Sequence, residues 1–448
     1  MTLLEHPDQL THRHHRTKPP RRNIKATPGA TAALLTLFAA LTLPATAFVH
    51  PYARHGSALG AGFGVDDVLD EALGAHLNVM APNSIQAEAL SLALGGKNVA
   101  VLAQTGSGKT LTFLLPILQS VLNREGATFQ PDDTSSKPTA VVLAPTEMLA
   151  EQHKYVAEQL LPNLSGLVLF STPSRFLEDL ANNKVSLERL ETVAIDEVDA
   201  VLYGDKDSSL TPLAASLLGV ISKETQFILT TAYLTAAQEA SLLQRDFVGA
   251  AFVKEQVPGG RSGVLVPTLR QCFKYFSGDK EDKLMNVIRD VEQDDWLSQG
   301  CTIVFCGSVS SAEQISSRIE ADFGTSVNLL HDDLTAVSRN AVLAGLRVKQ
   351  DPDDSNSVRI FLICTDIAAR GLDVPNVRHV ILFDVPTDIS GFIHQAGRTA
   401  RRGQQGLITC LVKTGSADYA RYSHLHALKD ASKLRFAASE PLFAGGNV

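Results

Sequence analysis

Asn98-Val-Ala-Val-Leu-Ala103-Gln-Thr-Gly-Ser-Gly-Lys-Thr110 is a short β-branched run that breaks into a glycine-rich turn, and from Leu111 the chain carries helical apolar spacing. Strand, glycine turn and helix in that order make a phosphate cradle, because the amides of the turn and of the helix N-terminus converge on anionic oxygens. Gln104, Thr105, Gly106, Ser107 and Gly108 form the turn, Lys109 is placed to reach β- and γ-phosphates, and Thr110 is placed to ligate Mg2+. Ala103 stands where the usual pattern has glycine, but the context that the motif needs is present.

Hydrolysis at such a cradle needs acids at the end of another strand. Thr192-Val-Ala-Ile195 runs into Asp196-Glu197-Val198-Asp199, where Asp196 can hold a metal's water shell and Glu197 can orient the attacking water. Far downstream, Phe392-Ile-His-Gln-Ala-Gly-Arg-Thr-Ala-Arg-Arg-Gly403 sets Arg398 and Arg401 three residues apart, which predicts two guanidinium groups on one side of a helical turn. Arginines on a second domain make hydrolysis conditional on closure.

Between these motifs short β-branched runs alternate with longer helical patterns, the grammar of an α/β fold with parallel sheets. The spacing predicts strands at 98–103, 140–144, 166–171, 191–195 and 226–230, then at 302–306, 326–330, 358–363, 379–383 and 407–412. Pro258, Gly259, Gly260, Ser262 and Gly263 break every periodicity, so 254–267 reads as a flexible linker between a first domain at 61–253 and a second at 268–435, with a tail at 436–448.

Composition fits this organisation. The 448 residues are 44% apolar and 20% charged, which is enough for two or three globular domains and excludes a disordered chain or a multi-span membrane protein. The five cysteines all fall in the second half with no CxxC pair, so a reduced, metal-free interior is expected. The N-terminus is cationic up to Lys25 and then apolar from Ala32 to Leu43, too short to span a bilayer, and closes on Ala45-Thr46-Ala47. That order predicts a signal peptide at 1–47, and the stretch after Phe48, with Arg54 and no acid, predicts a transit-peptide-like segment at 48–60. Together they resemble the bipartite presequence of algae with secondary plastids and imply a plastid stroma; a mitochondrial presequence, a signal anchor and secretion remain open. The formal charge of −8 becomes −12 from Phe48, since residues 1–47 hold six of the Lys and Arg and two of the Asp and Glu, leaving 34 against 46. Bulk charge therefore gives little affinity for nucleic acid, and a local arrangement of groups must hold it.

The ordered stretches Pro82-Asn-Ser-Ile-Gln86, Ala103 to Thr110, Pro145-Thr146, Asp196 to Asp199, Thr365-Asp-Ile-Ala-Ala-Arg-Gly-Leu-Asp373 and His394 to Arg401 resemble a DEAD-box RNA helicase of superfamily 2, over about Phe63 to Asp430. The resemblance implies two tandem RecA-like domains that close on ATP, Mg2+ and RNA, single-stranded or a short duplex, with strand separation by local bending. It implies that Gln86 reads the adenine edge with Phe63 over it, that Gly371 and Asp373 lie at the nucleotide with Asp373 on the ribose, and that His394 couples the arginines to the Asp196 loop. Thr146, Thr172, Arg175, Arg339 and Thr365 would face the RNA backbone, contacts that carry no base identity. A monomer without a membrane segment in the mature chain, working with ribosome-assembly or RNA-processing proteins, follows from the same likeness.

Several positions depart from the family pattern. Glu147 replaces an arginine, Ser174 a glycine, Tyr233 a threonine, Asp332 a glycine, Ala336 a glutamine, Gln395 an arginine and Val79 an aromatic. The stretch from Gln152 to Thr172 is short and lacks the family's double glycine, which predicts a lost strand and helix in the first domain. Triphosphate-facing residues are intact while RNA-facing ones are altered, so an ATP-gated RNA clamp or assembly scaffold stands beside the helicase reading, and a DNA-directed or structural use of the fold stands behind both.

Overall fold

A parallel sheet covered on both faces requires strands that are apolar along their whole length. β1 (Val99–Leu102) and β2 (Ala140–Leu143) meet that condition, β4 (Thr192–Ile195) and β5 (Gln226–Thr231) carry apolar centres with polar ends, and all four are almost wholly buried, while β3 (Val168–Ser171) and β6 (Ala251–Lys254) are partly open. All six are parallel, in the order β3-β2-β4-β5-β1-β6. The computed structural model describes residues 62–125, 137–204, 209–247, 249–255, 265–331, 333–335, 338–339, 341–342, 345–346, 360–365, 374 and 376–423, all within one compact unit. The signal and transit segments, Asp332, Ala336, Gly371, Asp373 and the tail lie outside the described residues.

Helices α1 (Asp67–Leu77), α2 (Ser84–Leu94), α3 (Lys109–Glu125) and α4 (Glu147–Leu160) contribute to the core on one face of this sheet, where Val99 and Val101 meet Leu90 and Phe113. Successive residues of a strand point to opposite faces. Ala100 accordingly joins the other core with Phe176 of α5 (Pro173–Ala181), Leu217 of α6 (Pro212–Val220) and Tyr203 of the π-helical turn Asp199–Tyr203. Helix α7 (Ala236–Ser241) leads to the edge strand β6.

The second lobe repeats the plan with β7 (Leu269–Phe276), β8 (Cys301–Cys306), β9 (Val327–Leu330), β10 (Ile360–Thr365), β11 (Val377–Leu382) and β12 (Gly406–Lys413), parallel in the order β7-β12-β11-β8-β10-β9. Helices α8 (Lys280–Glu292) and α10 (Val309–Phe323) pack on the face that carries Phe361 and Ile363, and α9 (Asp295–Ser298) closes the turn before β8. Helix α11 (Ile389–Ala396) packs on the face that carries Leu362 and Cys364.

All ten expected strands are present with ends shifted by a residue or two, and the fold is the tandem RecA-like α/β architecture that was expected. Two strands were not expected, β6 and β7, which sit at the sheet edges on either side of the connection. The expected linker is narrower than 254–267: Lys254 ends β6, and Leu265 and Val266 pack on the second lobe's core. The short stretch between β2 and β3 holds only α4, and β3 pairs directly with β2 from Ala140↔Val168 to Leu143↔Ser171. Leu160, Leu161, Leu164 and Leu167 are buried along that stretch, so the sheet closes without a further strand there.

The five cysteines are buried and none is in a disulfide, and burial pushes the Cys301 and Cys306 thiols up to about 12. Among the described residues no helix is long and apolar enough to cross a membrane.

Candidate active site

In parallel α/β sheets ligands sit beyond the carboxyl ends of the strands. In the first lobe those ends deliver Gln104 after β1, Thr146 after β2, Thr172 after β3, Asp196 after β4, Thr231 on β5 and Glu255 after β6. Gly106 and Gly108 adopt φ of 80° and 79°, which turns the amides of the loop inward ahead of α3. A Cβ on Gly108 would lie 2.5 Å from Gln86 Nε2, so the loop tolerates only glycine there.

Gln86 is 4% exposed and braces this loop. Its Oε1 accepts from Asn83 N–H at 3.0 Å and its Nε2 donates to Gly108 O at 3.0 Å, while Asn83 Nδ2 donates to Ser107 O at 2.8 Å. The capping box that starts α2 thus also shapes the cradle. Phe63 and Val79 are both buried in the first lobe's core. Lys109 Nζ donates to Ala103 O at 2.7 Å and Gln104 O at 2.8 Å, and burial lowers its pKa against the opposing pull of Asp196, Glu255, Glu197 and Asp199. Thr110 follows on the first turn of α3. Glu255 Oε2 accepts from Gln104 N–H at 2.7 Å, so the residue after β6 is tied to the loop.

The acidic loop is fixed from several sides. Asp196 Oδ1 accepts from Thr230 Oγ1 at 2.6 Å and from Glu197 N–H at 2.9 Å, and Oδ2 lies 3.0 Å from His153 Nε2. Burial pushes this carboxyl up, but the contacts of His153, Thr230 and Lys109 outweigh it and hold the group below the ordinary value. Glu197 is buried with a φ of 50°, in the left-handed region that a non-glycine residue enters only when its surroundings hold it there. Among the described residues no hydrogen-bond partner meets its Oε2 or the buried Ser107 Oγ. Together with the lysine and the inward amides, these groups fit a magnesium-bound triphosphate and its attacking water.

The lobes meet at Asp199. Thr231 Oγ1 donates to Oδ1 at 2.7 Å from its own lobe, and from the other lobe Ser390 Oγ donates to Oδ2, which also lies 3.0 Å from His394 Nε2. His394 Nδ1 is 3.8 Å from Glu197 Oε1, so this one ring touches both acids. The expectation for the arginines needs correction. Helix α11 ends at Ala396, and Arg398 and Arg401 lie on a turn and a 3-10 turn beyond it, with Ala400 at a φ of 55°. The two lobes come close here: a Cβ on Gly397 would lie 2.9 Å from Thr105 Cβ and Cγ2 and closer still to the hydroxyl, which itself donates to Gly397 O at 3.4 Å. Each guanidinium then folds back, Arg398 Nε onto His394 O at 3.0 Å and Arg401 Nε onto Gly397 O at 2.9 Å, and the Arg401 stem passes beside Gly106.

The expected RNA-facing residues divide between strand ends and caps. Thr146 and Thr172 are N-caps of α4 and α5, accepting from Leu149 N–H at 3.3 Å and Arg175 N–H at 3.4 Å. Arg175 Nη1 is 3.5 Å from Glu147 Oε1, with both side chains 64% exposed. Thr365 ends β10 and is buried, and Arg339 Nε donates to Leu334 O at 3.0 Å. Tyr233 is buried together with Ala232 in the core of the second lobe, where Met148 also packs, so the larger side chain is taken up between the lobes.

Four contributors were not singled out from the sequence: His153, Thr230, Glu255 and Ser390. Thr230 and Glu255 follow apolar runs as Asp196 does, a signal that strand-end position alone offers. His153 and Ser390 lie on helices, and their partners are 43 and 191 positions away, a separation that no local pattern reports.

Two lobes with a phosphate cradle in one and arginines in the other define a nucleoside-triphosphatase that acts by closure. The description DEAD/DEAH box helicase matches residues 83–241, and helicase conserved C-terminal domain matches 279–403. The ATP-dependent rRNA helicase rrp3 of Aspergillus oryzae is 32% identical over 354 residues, covering 73% of this chain and 67% of that protein. The ATP-dependent RNA helicase DDX47 of Drosophila melanogaster is 30% identical over 380 residues, covering 78% and 67%. In fold the chain is similar to S. cerevisiae Dbp5 bound to RNA and ADP BeF3, with a TM-score of 0.66, 22% identity and coverage of 83% of this chain and 92% of that one. The chain belongs to the DEAD/DEAH box helicase family, and it is an ATP-dependent RNA helicase of the DEAD-box type.

Proposed function

We propose that the chain spends ATP on remodelling structured RNA in an organelle, with ribosomal RNA as the substrate class. The observation that carries this reading is the convergence at Asp199 and Thr105, where groups from both lobes meet beside the phosphate cradle. Thr110 and the water shell on Asp196 would hold Mg2+, which when bound neutralises phosphate charge and fixes the geometry of the leaving group. Gln86 keeps the cradle in shape and, with its second amide hydrogen and second lone pair, reads adenine. Lys109 exchanges its two carbonyl partners for β- and γ-phosphate oxygens. Glu197, whose Oε2 meets no partner among the described residues, orients the attacking water. Arg398 and Arg401 leave their backbone carbonyls for the γ-phosphate, and His394 reports closure to Glu197. Gly371 and Asp373 complete the nucleotide site.

On the other side of the carboxyl edges, Thr146, Thr172, Arg175, Arg339 and Thr365 take the RNA backbone. The names of the similar relatives, rRNA helicases, support ribosome assembly as the setting and assembly or RNA-processing proteins as partners. The leader up to Ala47 with Phe48 behind it supports a plastid, with a mitochondrion second, and a monomer is the working state. A second reading, an ATP-gated RNA clamp with little unwinding, is favoured by the Glu147–Arg175 pair, which sets a carboxylate beside a phosphate-facing cation. The role assignments are tested by Glu197→Gln and Arg398→Ala. Each is expected to keep nucleotide affinity, while turnover falls by about 10²–10⁴-fold for the first and about 10³–10⁵-fold for the second. Wild-type turnover in either would break the assignment.

A further inference from the structure

Helix α4 buries Leu149, Ala150, Ala157 and Leu160, and one polar ring, His153, sits among them at 3% exposure. The ring stands edge-on to Phe113, with centroids 5.1 Å apart and planes at 84°, so its carbon framework is seated by α3. That seating carries Nε2 to 3.0 Å from Asp196 Oδ2, an ion-pair contact whose angle lies outside hydrogen-bond geometry. The opposite oxygen, Oδ1, already accepts from Thr230 Oγ1 and Glu197 N–H. A carboxylate anchored at one oxygen still rotates about that anchor, whereas a buried ring seated against the other oxygen limits that rotation. We infer that His153 is a positioning residue which fixes the plane of Asp196 from behind, so that the carboxylate presents a constant face to the water shell of Mg2+.

The inference rests on the proposed role of Asp196 in holding that shell. The separation of tasks is physical: α4 and α3 set the ring, the ring sets Oδ2, and β5 with the backbone of the acidic loop sets Oδ1. Outer partners of this kind orient the groups that hold a metal, and their loss typically weakens metal affinity by about 10–100-fold.

The test is Mg2+-dependent binding of a fluorescent ADP analogue to the full chain, alongside binding in EDTA and thermal melting of each variant. His153→Met removes the polar contact in a side chain that fits an apolar helix face. His153→Asn keeps an amide too short to reach, and His153→Gln carries one at about the reach of Nε2. The expected result is a midpoint in Mg2+ raised about tenfold or more in the Met and Asn variants, a midpoint near wild type in the Gln variant, and equal binding in EDTA for all. Asp196→Asn, run in parallel, is expected to lose the Mg2+ response. A wild-type midpoint in either the Met or the Asn variant, with the response lost in Asp196→Asn, would overturn the role of His153. Equal losses in Gln and Asn would likewise reduce the ring to packing. A retained response in Asp196→Asn would overturn the reading of Asp196 itself. If the Met variant does not fold, the Asn and Gln pair decides the matter.

Discussion

Glu147 and Arg175 face each other across the carboxyl edge of β2 and β3 at 3.5 Å, each largely in solvent. An exposed pair of this kind contributes only about 0.2–1 kcal/mol to folding, so its weight falls on what else Arg175 can bind. A phosphate must displace the carboxylate before it gains the guanidinium, and Glu147 repels that phosphate meanwhile. Glu147→Arg removes the competitor and adds a cation. Affinity for single-stranded RNA is expected to rise, and the slope of log K against log salt to steepen by about 0.7 for each added phosphate contact. Titration at several salt concentrations checks this, and an unchanged slope would mean that RNA does not pass there. At this scale the sequence was legible wherever residue type and strand-end position coincide, as for Lys109, Asp196 and Glu197. It was not legible for His153, whose role exists only because α4, packed on β2 and β3, carries the ring to the loop after β4.

The elements that build the site are short, and their ends do the chemistry. Helix α11 stops at Ala396, Gly397 comes against Thr105, and the turn beyond carries both arginines. Gly397 has an ordinary φ of −69°, so the requirement is space alone. Gly397→Ala should therefore fold but hold the lobes apart at that point. Nucleotide binding is expected to stay within a few-fold of wild type while turnover falls by about 10³-fold, the weight of a lost arginine finger. A variant with full turnover would show that the contact is not part of closure. The buried strands were readable from their continuous apolar runs. Edge strands β6 and β7 were not, because Ala251–Lys254 is only partly buried and ends on a charge, and Leu269–Phe276 mixes Arg270, Gln271 and Lys274 into its apolar positions. The helical turn expected at Arg398 is replaced by a turn that follows Gly397, whose carbonyl meets Thr105, 292 positions away in sequence.

Across the whole molecule, Asp199 ties two sheets that share no strand. Burial pushes its carboxyl up, and the contacts of His394, Ser390 and Thr231 outweigh that, holding it well below the usual carboxylate range. A depressed carboxyl contributes stability that is fully present above its unfolded value of about 3.9 and is lost as pH falls through the folded one. Asp199→Asn is therefore expected to cost about 2–3 kcal/mol at pH 7, with the gap from wild type narrowing below about pH 4 in thermal melts. A gap that stays constant with pH would remove the carboxylate from the account. The two-lobe plan itself was legible because each half carries its own run of buried strands. The joint was partly so, since the family resemblance set His394 against the Asp196 loop, while its partner Asp199, Ser390 and the burial of Tyr233 between the lobes emerged only in three dimensions. Coupling between the lobes is read out by steady-state ATPase of the full chain with and without single-stranded RNA, with Glu197→Gln as the blank. RNA is expected to stimulate turnover strongly, because ordering the backbone-facing residues at both carboxyl edges favours the closed arrangement around Asp199 and Thr105. Turnover that is the same with and without RNA would contradict the account.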